Sequence, residues 1–214
     1  MHASHPDVAA FTDALLSLDE SAANALISGV SETDYLDSVV VPALVAIGEG
    51  WTEGRVSLSQ VYMSGRLCQR LLTIDGSTDQ PLRPTQPRLA VCVLEDSHVL
   101  GKQIVVHLLR ACGYEVTDWG ARLEADEVVR RTAAEAIDVL FISVLMLRSA
   151  LAVATVKAGL VDAGCDALVV VGGAPFRFDP GLGSEVGADF VGMSASDVLP
   201  IMAQIERARA EVGL

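Results

Sequence analysis

Five short runs of aliphatic and β-branched residues recur between residues 88 and 193, and stretches with apolar residues at helical spacing separate them. The runs are Leu89 to Leu94, Tyr114 to Trp119, Asp138 to Leu145, Asp166 to Gly173 and Asp189 to Met193. Near-continuous apolar runs of this length read as strands buried on both faces, the signature of a parallel sheet covered by helices. After the first run, Ile104, Val105, Leu108 and Leu109 keep helical spacing until Gly113 closes the segment. Further helices are expected from Glu124 to Ala136, with Glu124 and Asp126 in the first turn, from Ser149 to Ala163 ended by Gly164, from Leu182 to Val186, and from Ser196 to Val212. Strict alternation of strand and helix predicts an α/β fold with a doubly wound, five-stranded parallel sheet in the order 2-1-3-4-5.

This flavodoxin-like order puts the topological reversal between the first and third strands, where open parallel sheets bind ligands. The residues at those strand ends are unusual. The first run stops at Glu95, Asp96, Ser97 and His98, followed by Gly101; the third ends in Ser143, Val144 and Leu145; the fourth ends in Gly172, Gly173, Ala174 and Pro175. An imidazole that binds a metal through one nitrogen is oriented and made more basic by a carboxylate on the other, and Asp96 is two residues from His98. Glycine at position 101 lets a bulky group approach the backbone. Taken singly, each element has an ordinary reading: a polar first-turn histidine, a satisfied serine hydroxyl, a tight Gly-Gly turn.

Residues 1 to about 75 read as helices. Val8, Phe11, Leu15 and Leu18 keep helical spacing; Tyr35, Val39 and Val40 lead into Pro42, after which Leu44, Val45 and Ile47 resume it. Pro42 fits either a first turn or a kink. Gly48, Gly50 and Gly54 are read as punctuating a turn, Ser57 or Ser59 as a cap, and Val61, Met63, Leu67, Leu71 and Leu72 as one face of another helix. Four short helices then make a bundle. Residues 76–87, rich in proline and poor in apolar side chains, read as a linker, so the expected domains are 1–75, helical, and 88–214, the sheet domain.

With 15 basic and 28 acidic residues the net charge is −13, which argues against direct nucleic-acid binding. No apolar stretch approaches the roughly 20 residues of a membrane span. The start, MHASHPDVAAFTDALL, lacks a secretion-signal pattern, and the four scattered cysteines suggest reduced thiols in a cytoplasm.

The motif Asp96-x-His98-x-x-Gly101, with Ser143-x-Leu145 and Gly172-Gly173-Ala174-Pro175, resembles cobalamin-binding domains, and GGAP resembles the corrinoid carriers of methyltransferase systems. The helical half is similar to the carriers' cap in Gly48-Glu49-x-Trp51-x-x-Gly54, with Met63 and Ser64 beyond. The resemblance implies that His98 displaces the cofactor's benzimidazole and ligates cobalt from below. It further implies that Asp96, Ser97, Gly101, Ser143, Leu145, Gly172 and Gly173 hold the cofactor. In that reading Ser143 bonds to Asp96 or the cofactor's tail, the glycines leave a slot for the tail, and Trp51 and Met63 cover the upper face, although both also fit an ordinary core. The chain departs from the pattern at Glu95, where many carriers have Gly, and at Val99, where many have Asp; Lys102 is kept. Its Gly187-Ala188-Asp189-Phe190 and Met193-Ser194-Ala195-Ser196 also differ from the carriers' last-strand ending. His107 reads as a helix-surface residue.

A receiver's aspartate and lysine, a flavodoxin phosphate loop and a GxGxxG are all missing from the strand ends, and a mutase's catalytic barrel does not fit in 214 residues. Two roles remain. One is a non-autonomous corrinoid subunit carrying methyl groups on cobalt between substrate-specific and acceptor methyltransferases. The other is a cobalamin- or light-dependent sensor acting through a transcription regulator; the sensors' Glu-His is replaced here by Ser59-Gln60-Val61-Tyr62. The oligomeric state, a homodimer included, stays open.

Overall fold

Every residue of strand β1 (Leu89–Val93) is buried, which is why its sequence shows a run and no alternation. The computed structural model describes residues 6–27, 36–74, 83 and 86–211. β2 (Val116–Asp118), β3 (Val139–Ser143), β4 (Leu168–Gly172) and β5 (Phe190–Gly192) complete a five-stranded sheet in the order β2-β1-β3-β4-β5, all pairs parallel, as expected from the alternation. The strands are shorter than their apolar runs because the flanking residues turn away as loops. Register places Val93 beside Ser143, Ser143 beside Gly172, and Gly172 beside Gly192. The three motifs therefore leave the sheet from one edge at one level.

The helices of the described chain are α1 (Pro6–Ser17), α2 (Glu20–Ile27), α3 (Val41–Thr52), α4 (Leu58–Ile74), α5 (Leu100–Ala111), α6 (Ala125–Ala134), α7 (Leu147–Leu151), α8 (Val153–Asp162), α9 (Ala174–Phe178), α10 (Leu182–Glu185) and α11 (Val198–Glu211). The single helix expected from Ser149 is two, α7 and α8, because it starts earlier, after Met146, and breaks at Ala152, which caps both. Helix α9 was not anticipated; Pro175 stands in its first turn, where a missing N–H costs nothing.

Contacts divide the chain into two compact units, one comprising residues 86–106 and 115–195, the other residues up to 85, 107–114 and from 196 onward. The core of the sheet unit is built from alternate strand residues: Ala90, Cys92 and Leu94 of β1 and its end, Leu140, Ile142 and Val144 from β3, Val169 and Val171 from β4. Val128, Val156, Leu160 and Phe176 close over them. Each large aliphatic residue so buried contributes about 1.5–3 kcal/mol.

In the other unit, Phe11, Leu15, Ala23, Leu44, Ile47, Val61, Cys68 and Leu71 are buried between α1, α2, α3 and α4. Pro42 lies in the first turn of α3, following a π-helical turn at Leu36–Val40. Gly48 and Gly50 are buried inside α3, correcting their reading as turn residues: a Cβ at Gly48 would overlap Ser196, and one at Gly50 would meet Val56 at 2.7 Å. Only Gly54, with φ +76°, serves the turn. Of the two candidate caps, Ser57 starts α4 with a capping box: Gln60 Oε1 accepts from the Ser57 N–H at 2.9 Å, and the Gln60 N–H donates to Ser57 Oγ at 3.3 Å. Ser57→Ala is expected to cost about 1 kcal/mol in urea unfolding. Tyr35, Leu72, Val212 and most of the expected linker, all but residues 83, 86 and 87, lie outside the residues whose side chains are described.

The cysteines are free; Cys68, Cys92 and Cys112 are buried, and burial pushes the Cys92 thiol up to about 12 against the opposing pull of Lys102 and Arg131. Titration of the native protein with a thiol reagent should modify Cys165, which is partly exposed, first, and the other three only on unfolding. Among the described residues no helix is long and apolar enough to cross a membrane.

Candidate functional site

His98 lies in the loop between β1 and α5, its side chain 55 % exposed, while that of Asp96 is 2 % exposed. The carboxylate is thus part of the protein interior and the imidazole faces outward. Asp96 Oδ1 accepts from the backbone N–H groups of Ser97 and His98, and from His98 Nδ1; Asp96 Oδ2 accepts from the Leu145 N–H at 3.1 Å. Burial raises the carboxyl's pKa, but the hydrogen bonds from His98, Leu145 and Ser97 outweigh it and hold it at about 2, against an ordinary 3.8. This stabilisation is full above the ordinary value, fades as the pH falls through the interval, and is gone below about 2. Ionised at neutral pH, Asp96 has no proton to donate, so Nδ1 of His98 carries the hydrogen of that bond and Nε2 is the ring nitrogen left to face a metal.

The Leu145 N–H, and not the Ser143 hydroxyl, is what ties β3 to Asp96. Ser143 Oγ instead lies 3.3 Å from where a Cβ on Gly101 would stand, so a side chain there would push on that hydroxyl by a few tenths of an ångström. Gly172 ends β4, and Gly173 has φ +130° with the Val144 carbonyl where a Cβ would sit. Ser97 is exposed beside His98. Asp96, Ser97, His98, Gly101, Ser143, Leu145, Gly172 and Gly173 thus all belong to the sheet unit and gather along one edge, whereas Trp51, in α3, and Met63, in α4, belong to the helical unit.

Some features of the site were not read from sequence. Leu100, Met146, Leu147 and Met193, like the anticipated Leu145, are large, apolar and exposed on the loops and helix starts at this edge. The signal was present in Leu145-Met146-Leu147, three apolar residues in a row past a strand's end. Lys102, buried, pairs with Asp118 at the end of β2. Asp118 also accepts from the Gly120 N–H, and the following loop is zipped to the end of β1 by Arg122 N–H to Asp96 O and Glu95 N–H to Leu123 O, each 2.9 Å. Lys102 therefore ties the start of α5 to the end of β2. His107 is not on the surface: half-buried, its Nδ1 is 2.8 Å from Gln69 Oε1, and its ring stands edge-on to Tyr62 at 5.3 Å. Burial, then the nearby Arg66 and Arg110, lower its pKa.

One imidazole does not hold a bare metal ion, and the described residues contain no group of three or more His, Cys, Asp or Glu side chains that could. A metal at His98 must bring its remaining ligands with it. A metal-centred macrocycle does so. A B12 binding domain family matches residues 88–203, more than half of the chain, and a second family of the same description matches residues 8–74.

The chain belongs to the B12-binding domain family.

Its cofactor is cobalamin or a related corrinoid, and the donor set at His98 fits that group. Trimethylamine corrinoid protein 1 of Methanosarcina mazei is 25% identical over 186 residues, 84% of this chain and 85% of that protein. The transcriptional repressor CarH of Myxococcus xanthus is 28% identical over 115 residues, 53% of this chain but 38% of CarH. Among solved structures, a cobalamin-binding protein from Desulfitobacterium hafniense has a similar fold, with TM-score 0.77 at 22% identity, covering 94% of this chain and 98% of that one. The methanol:cobalamin methyltransferase complex MtaBC from Methanosarcina barkeri contains another, with TM-score 0.66 at 23% identity over 95% of this chain and 80% of that one.

Asp96→Asn is expected to weaken cobalamin binding about 10–100-fold, the range for an outer partner of a ligating histidine, because the amide no longer selects the tautomer that leaves Nε2 free. Spectral titration of the purified variant checks it.

Proposed function

We propose that this chain is the corrinoid subunit of a methyltransferase system, carrying methyl groups on cobalt between a substrate-specific partner and an acceptor methyltransferase, with cobalt held base-off by His98. The observation that carries the reading is the buried, ionised Asp96 fixing Nδ1 of an outward-facing imidazole at the strand ends where the three motifs gather. A corrinoid supplies a cobalt centre that accepts and releases a methyl group. The chain's own part is to hold and orient it. His98 Nε2 would give the cobalt a nitrogen ligand, Asp96 would tune the basicity of the imidazole, and the exposed Leu100, Leu145 and Met146 would supply apolar contacts. Gly172 and Gly173 leave room for a displaced tail, Gly101 for the close approach of backbone, and Ser97 and Ser143 add hydroxyls at the rim. Trp51 and Met63 enter the proposal through resemblance alone, as cover for the upper face. Alone, the subunit completes no turnover, since both substrate and acceptor sites belong to partners.

Sensing through a protein partner is the second reading, favoured by the match to CarH over 115 residues. Against it, Gln60 is engaged in the capping box of α4, and the trimethylamine corrinoid relative is matched over 85% of its length, compared with 38% of CarH. The test is to reduce the cobalamin-loaded protein, offer methylamines or methanol with their methyltransferases, and follow the cobalt spectrum. Methylation of cobalt is the expected result. A change of assembly on illuminating the adenosyl form, without methylation, would replace the carrier by the sensor.

A further inference from the structure

Glu95 occupies the place where the motif this chain resembles has glycine, and its φ is +46°, in the left-handed region. A side chain there is strained where glycine is not, so the carboxylate is kept at a cost in backbone energy. Its backbone is fully used: the N–H donates to Leu123 O at 2.9 Å, and the carbonyl accepts from the buried Ser149 Oγ at 3.4 Å. Its carboxylate is not. The side chain is 17 % exposed, yet among the described residues its ion-pair partner is Arg148 Nε at 3.6 Å, beyond hydrogen-bond range, on a side chain 89 % exposed. A largely buried carboxylate without a donor calls for one, and this one precedes Asp96 directly and stands three residues before His98.

We propose that Glu95 is a specificity-determining residue for the corrinoid: its carboxylate accepts a hydrogen bond from a primary amide on the rim of the ring and so rejects corrinoids that carry a carboxylic acid at that place. The proposal rests on the corrinoid lying at His98. A ring liganded there brings side-chain amides, which are N–H donors, to the loop that holds Glu95. A carboxylate in place of that amide has no proton to give at neutral pH, and would face Glu95 as a like charge, a stronger discrimination than the loss of one neutral contact.

The test compares wild type, Glu95→Gln and Glu95→Gly for binding of cobalamin and of its monocarboxylate derivatives, each with one side-chain amide hydrolysed, by spectral titration at neutral pH. Wild type is expected to bind at least one monocarboxylate about tenfold or more weakly than cobalamin. Both variants should bring that derivative to within about twofold of cobalamin, the glutamine because it can donate to the acid and the glycine because it removes the charge. Equal ratios in wild type and both variants, with cobalamin still bound, overturn the selectivity of Glu95 alone. Failure of wild type to bind cobalamin at all overturns the corrinoid assignment at His98 as well.

Discussion

His98→Ala protein, mixed with cobalamin and desalted, is expected to lose the cofactor that wild type retains. The substitution removes the nitrogen proposed to ligate cobalt, so its effect should exceed the about 10–100-fold that partners behind a ligating histidine are worth. The unliganded variant should still fold but unfold at a somewhat lower denaturant concentration than wild type, because the buried Asp96 carboxylate loses the hydrogen bond from the imidazole and keeps those from the backbone. Electron paramagnetic resonance of the Co(II) form gives the sharper reading. Nitrogen splitting from the axial ligand should change when the protein, and not the cofactor, is labelled with 15N. Unchanged splitting, or full retention by His98→Ala, would remove the imidazole from its assigned role and leave Asp96 with only a loop to hold.

Gly173→Ala should be the most damaging single methyl group in the sheet unit. Two costs coincide there: φ of +130° is foreign to an L side chain, and the added Cβ would overlap the Val144 carbonyl, which is backbone and has nowhere to retreat. The Val144 N–H is itself bonded to Gly172 O at 3.0 Å, so displacing either loop breaks the β3 to β4 ladder at the site's edge. A destabilisation of about 3 kcal/mol is expected, visible as a fall in Tm of about 6–12 °C for a chain of this size. Gly172→Ala, at an ordinary φ and with Gly192 O at 3.3 Å from the added Cβ, should cost less. Equal tolerance of both substitutions would mean that the loop between β4 and α9 yields easily.

Strand order and motif placement could be read from the sequence because burial writes itself into local pattern. Val-rich runs such as Leu89 to Leu94 admit few alternatives, and residues at the ends of successive buried strands must gather at one edge when all the strands are parallel. Asp96 beside His98 needed only sequence separation, since a span of two residues keeps carboxylate and imidazole within reach whatever the fold does elsewhere. Gly48 and Gly50 show where this reasoning ended: composition marks a flexible turn, whereas close contacts with Ser196 and Val56 make them helix-packing residues. His107 failed in the same way, its partners Gln69 and Tyr62 coming from a helix more than thirty residues earlier.

What the linear chain determined was therefore the class of fold, the edge at which the three motifs gather and the pairing of Asp96 with His98 there, all consequences of short-range pattern and the handedness of parallel connections. What only the folded molecule decided was which groups complete the pair. The Leu145 amide took the place expected of Ser143 as a donor to Asp96, Lys102 found Asp118, and the Glu95 N–H found the Leu123 carbonyl. Each of these depends on how two loops distant in sequence approach within hydrogen-bond range, and that distance is set by packing between side chains that no local window contains.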